Sequence, residues 1–209
     1  AYTSFPVLQE AADDHPTLRS HRIAVGLYDL AAGVLRRRER IELDISDAAT
    51  DVAKLIGVQA PDLLLLNDDD LTFAKIRLDD RSLDSLIQSI GSFEDSLART
   101  LCWDAAWDMT RDAEMKAGDY AQLVIEGIDQ ETDIGVTQMN LLRAAQAIRM
   151  YGNPAKITER LAAFAAKARE LMLAAAPGSD KQLAFAHSFI NAAAVGADSD
   201  LMRGLLDGS

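Results

Sequence analysis

PDLLLLNDDDLTFAKIRLD, residues Pro61–Asp79, is the stretch on which the reading of the fold turns. Leu63–Leu66 is a short apolar run and Asn67-Asp68-Asp69-Asp70 a polar turn. Leu71–Leu78 then alternates apolar with polar residues, slipping by one near Ala74. An apolar run, a tight turn and an alternating return predict two paired strands, the second carrying a bulge. Asn and Asp suit such a turn because their short side chains bond the local backbone. On the N-terminal side of this stretch the chain reads in strands, and on the C-terminal side it reads in helices.

Working back toward the N-terminus, His21–Leu30 sets Ile23, Val25 and Leu27 on one face. Val34–Leu43 follows across Ala31-Ala32-Gly33, which predicts a β-hairpin. Residues 2–9, with Pro6 suited to an edge, and Thr50–Leu55 supply further strands. About five or six short antiparallel strands are expected, enough for a small sandwich over residues 1–79.

Working forward, Ser82 and Ser92 are placed to cap helices separated by Gly91. The segment Phe93–Arg111 is apolar around most of its circumference, with Leu97, Leu101, Cys102, Trp103, Ala106, Trp107 and Met109. Thr100, Asp104, Asp108 and Arg111 leave only a narrow polar stripe, so this helix is expected to pack between neighbours. Further helices are predicted over Tyr120–Ile128 and over Ile134–Tyr151, the latter capped by Asp133 and stopped by Gly152. Asn153-Pro154 opens another that runs to Ala176, Ser179 opens the next through Ala194, and a short helix follows Asp198 or Ser199. About seven helices with short connections make consecutive helices antiparallel neighbours. The fold class is therefore mainly α with a small β domain: an N-terminal antiparallel β-sandwich over 1–79, then an α-helical right-handed superhelix of the HEAT or armadillo kind over 80–209.

Composition narrows the function. The 209 residues are 49% hydrophobic and 26% charged, with a net charge of −12. Phosphate binding needs concentrated Lys and Arg, so no nucleic-acid partner is expected. Arg36-Arg37-Arg38 and Arg40 are diluted by Glu39 and Glu42 and read as a solvated strand or turn. The N-terminus lacks the basic and apolar regions of a secretory signal. No apolar run reaches the ~18–20 residues of a membrane span; Leu161–Ala176 is broken by Lys167, Arg169 and Glu170. A soluble cytoplasmic protein is expected, with its single cysteine, Cys102, a buried thiol in a reducing compartment.

Catalytic motifs are absent from the sequence. His15, His21 and His187 are scattered, without HExxH or a second ligand at metal spacing. There is no GxSxG, GxGxxG or GxxxxGK[ST]. Asp68-Asp69-Asp70 lacks the alternating ligands, glycine and distal glutamate of a calcium loop and reads as a solvated turn. Asp104 and Asp108, four apart on one helix with Arg111 beyond them, form a charge-compensated stripe and are the substrate-binding candidates. Trp103 and Trp107 read as packing. No catalytic or metal-binding residue is assigned, and on residues alone the chain is a non-enzymatic two-part module.

LLLLNDDDLTFAKIRLDDRSLDSL and LARTLCWDAAWDMTRDAEMKAGDYAQLV resemble the region after the catalytic domain in bacterial aminopeptidase N, the large zinc aminopeptidases. HRIAVGLYDL and RRRERIELD are similar to that family's β-sandwich domain, and the helical remainder to its C-terminal superhelical domain. The resemblance implies a parent zinc metallopeptidase that removes N-terminal residues from peptides, holding zinc through HExxH and a distal glutamate. It implies GxMEN at the substrate's amino terminus. None of these motifs occurs here. Zinc is therefore expected in the parent's catalytic domain, which is the expected partner along with peptide substrates, and the fragment by itself is expected to be inactive. Its implied role is to shape and close the peptide chamber. Family members continue past the point matching LMRGLLDGS, so the chain is expected to be clipped at both ends, exposing Leu201, Met202, Leu205 and Leu206. The alternative is a stand-alone helical-repeat scaffold that binds a protein or peptide. A third reading is an independent hydrolase using Asp104 and Asp108.

Overall fold

A computed structural model describes residues 1–11, 14–193 and 201–204. Its strands are β1 (Pro6–Leu8), β2 (His21–Ala31), β3 (Val34–Ile45), β4 (Ala49–Asp51) and β5 (Leu63–Leu66). Its helices are α1 (Asp80–Ser89), α2 (Ser96–Arg111), α3 (Ala117–Gly127), α4 (Ile134–Gln146), α5 (Ile157–Ala174) and α6 (Asp180–Ala192). The described chain is thus mainly helical with a small β part. It divides into two compact units, Ala1–Ala105 and Ala106–Ser209, at a point inside α2.

In the first unit β2 is the central strand of the order β3-β2-β5, and β1 pairs with β4 in a separate two-stranded sheet. All pairings within the two sheets are antiparallel. The β2–β3 hairpin turns through Ala32 and Gly33, at φ 52° and 79°, the left-handed pair that matches strand twist. One face of β2 sends Ile23, Val25 and Leu27 into a core with Val7, Ile41, Ile45, Val52, Leu55 and Leu64. The other face is buried too: Ala24 and Tyr28 are no more than 1% exposed. A strand covered on both faces loses the apolar–polar alternation, which is why Ile23–Tyr28 reads as a nearly continuous apolar run.

The expected return strand over Leu71–Leu78 does not form. Asn67, Asp69 and Asp70 all take positive φ, and the chain leaves the turn outside any sheet. Asn67 satisfies Thr72 instead of a neighbouring strand doing so: its amide accepts from Thr72 N at 3.1 Å and donates to Thr72 O at 2.7 Å. The edge of β5 is also taken, because Leu64 N donates to Ser82 Oγ at 2.8 Å. The bulge expected near Ala74 lies elsewhere, in the β2–β3 ladder between Leu27 and Tyr28.

Two caps differ from expectation. Asp79, not Ser82, caps α1, and its carboxylate accepts from both Ser82 N and Ser82 Oγ. Ser92 ends a 3-10 turn. Phe93 bridges to Leu35, and Asp95 then accepts from Leu97 N and Ala98 N at the start of α2. Asp133, Asn153 and Ser179 cap as their sequence positions predict.

In the second unit α3 packs on α4 and α5, and α6 packs on α4 and α5. Phe164, Phe185, Phe189, Leu141, Ile148 and Met172 are among the buried side chains of this unit. Tyr120 donates to Asn140 Oδ1 at 2.9 Å inside this core, where an unpaired hydroxyl would be costly. α4 ends in a wider π turn, Ala147–Tyr151, stopped at Gly152. A Cβ at Gly152 would fall 2.4 Å from Ile148 O, so only glycine lets the chain turn there. Leu201 and Met202 are half-buried rather than exposed; Leu205, Leu206 and the predicted end of a helix at Ala194 lie outside the described residues.

Candidate functional site

The polar stripe of α2 is real. Asp104 is exposed and belongs to the first unit; Asp108, half-buried, and Arg111, exposed, belong to the second. Trp103 is fully buried and Trp107 is 7% exposed. Trp107 meets Tyr120 at 5.4 Å between ring centroids and carries the Arg143 guanidinium 5.6 Å from its own centroid, so it is a packing residue.

A cleft of about 440 Å³ opens between α4, α5 and α6 in the second unit. Leu141, Phe164 and Ala184 form its apolar floor, while Gln138, Arg149 and His187 stand among the polar residues of its lining. Arg149 donates to Asn191 O, which joins the end of α4 to α6. Such a cleft can seat an apolar group and orient it with a few polar contacts. Sequence reading could not assemble it, because its residues come from three helices spaced along the chain.

The most organised polar cluster lies in the first unit and corrects two expectations. Asp68 is 1% exposed, not solvated. It accepts from Tyr28 OH at 2.9 Å and from Arg37 Nη1 at 2.8 Å. Arg37 also reaches Asp69 at 2.7 Å, and Arg40 pairs with Asp69 as well. The basic run and the acidic turn are therefore partners, with Arg37 and Arg40 partly buried and not simply solvated. Hydrogen bonding to Arg37, and then to Arg40, holds the Asp69 carboxyl below the usual carboxylate range. Burial and the nearby Asp68 charge push the Tyr28 phenol well up. The clue in the sequence was Gly26 in mid-strand. A Cβ there would lie 2.2 Å from Asp68 Oδ2, so glycine marks the close approach of the turn to β2. With both oxygens of Asp68 engaged, this cluster holds the turn in place and is not a reactive carboxylate.

Cys102 is fully buried, and burial pushes its thiol up, away from the reactive thiolate. His21 is occupied by Thr72, with Nδ1 2.7 Å from Oγ1. Among the described residues no group of three or more His, Cys, Asp or Glu could hold a metal ion.

Comparison with known proteins bears out the resemblance read from the sequence. The chain is 46% identical over 214 residues to aminopeptidase N of Streptomyces lividans, an alignment that takes in 99% of this chain and 25% of that protein. The chain thus spans about a quarter of that relative's length. Residues 63–207 match the family described as the ERAP1-like C-terminal domain. That match begins at β5, takes in the Asn67 turn and runs through all six described α-helices, and the chain belongs to the ERAP1-like C-terminal domain family.

Proposed function

We propose that these residues are the non-catalytic C-terminal portion of a zinc-dependent aminopeptidase that removes N-terminal residues from peptides, and that their role is to shape and close the peptide chamber. The observation that carries the reading is the 46% identity to an aminopeptidase N across nearly all of this chain. In this reading residues 1–79 form a β-sandwich spacer and residues 80–209 a right-handed helical superhelix. Contacts of α3 with α5 and of α4 with α6, beside those of the sequence neighbours α3 with α4 and α5 with α6, support the superhelix, since in stacked hairpins a helix also meets the next but one. The partner is the catalytic portion of the same polypeptide, which supplies zinc, and the substrates are peptides. In this reading the protein works in the cytoplasm. Asp104, Asp108 and Arg111 are the residues offered toward substrate.

The test is to read the encoding frame beyond these residues and assay both forms. The complete polypeptide should carry HExxH and GxMEN and cleave an aminoacyl reporter in a chelator-sensitive way. Such cleavage by the purified 209-residue chain alone would overturn the non-catalytic assignment.

A further inference from the structure

Residues Leu71–Arg77 connect the Asn67 turn to α1 without joining a sheet. Both ends of the segment are pinned. At the first, Asn67 holds Thr72 through two hydrogen bonds and His21 meets the Thr72 hydroxyl. At the other, Leu78 is 5% exposed and Asp79 caps α1. Between the pins the Phe73 ring stands wholly in water at 103% exposure, with Leu71 at 42%. An aromatic ring on a backbone already ordered is a preformed anchor: burying it releases structured water, and little chain entropy remains to be lost. Rings of this kind dominate the energetics of interfaces.

The occupant is narrowed by two facts. A second copy of this chain would bring another net charge of −12, which opposes self-association. About three quarters of the Streptomyces relative lies outside the region matched here, so the relative carries ample polypeptide to receive the ring. We infer that Phe73, with Leu71 beside it, anchors these residues in an apolar pocket on the zinc-peptidase portion of the same polypeptide. This inference rests on the aminopeptidase reading above.

The experiment uses the complete polypeptide with p-benzoylphenylalanine in place of Phe73. Irradiation and peptide mass spectrometry should map a cross-link within one polypeptide, from position 73 to a residue outside 1–209. A link between two copies, a link confined to residues 1–209, or no link overturns the inference. A second readout is amide exchange, which should be about tenfold slower over residues 71–77 in the complete polypeptide than in the 209-residue chain. Equal rates also overturn it. Chelator-sensitive activity is scored on the same preparation. Its absence sinks the aminopeptidase reading and the docking together, whereas activity without the cross-link sinks the docking alone.

Discussion

Ala32 is held at φ 52° at the tip of the β2–β3 hairpin, a left-handed conformation in which its Cβ is strained. Asn tolerates that region, so Ala32→Asn should stabilise the chain by about 0.5–1 kcal/mol, read as a raised urea midpoint at unchanged m value. Gly26 sets the opposite case. A methyl there meets the Asp68 carboxylate and the Tyr28 ring, each only 1% exposed. Gly26→Ala should cost roughly 1–3 kcal/mol, as overpacking does, and a thermal midpoint within error of the parent would refute the proposed close contact. The paired Asp69 gives a pH signature. Its folded-state pKa is depressed, so its contribution is present above the unfolded value near 4 and is lost as pH falls through the lower folded value. Urea titrations at neutral and acid pH should show that Asp69→Asn removes part of the acid sensitivity of the parent. Equal acid sensitivity in both would mean that the Arg37 and Arg40 contacts do not form in solution.

At the scale of elements, the joint between β5 and α1 depends on Asp79. This one side chain caps α1 through Ser82 N and orients the Ser82 hydroxyl that covers Leu64 N. Asp79→Ala should therefore cost about 1–2 kcal/mol, at the upper end of the range for a lost cap. Ser82→Ala removes the cover of Leu64 N but leaves the cap, so its effect on the chemical denaturation curve should be the smaller of the two. Helix boundaries were largely legible in the sequence. Asp133, Asn153 and Ser179 are local signals whose side chains bond the first turn whatever surrounds them. The start of α2 was misplaced because Phe93 is drawn into a bridge with Leu35, a contact 58 positions away that no local pattern carries. The return strand failed for a related reason: its alternation was present, but the edge it needed on β5 faces Ser82.

For the whole molecule the prediction concerns metal. The described residues bring no ligand cluster together, so the 209-residue chain should retain no stoichiometric zinc after dialysis. Elemental analysis finding one tightly held zinc per chain would contradict the assignment of the metal to other polypeptide. Family membership was readable from residues because several segments in fixed order resemble aminopeptidase N, and the 46% identity carries that order along nearly the whole chain. The cleft between α4, α5 and α6 and the Asp68 cluster were not readable, since each joins residues distant in the chain. By itself the sequence determined most element types, most caps, the absence of catalytic motifs and the family, because these depend on neighbours within a few residues or on ordered segments. Tertiary structure alone decided that Asp68 is buried beside Arg37, that Leu71–Arg77 stays unpaired and that Phe73 stands in water. Pairing, burial and exposure are set by what the folded backbone brings alongside a residue, and a residue's own identity does not specify its distant neighbours.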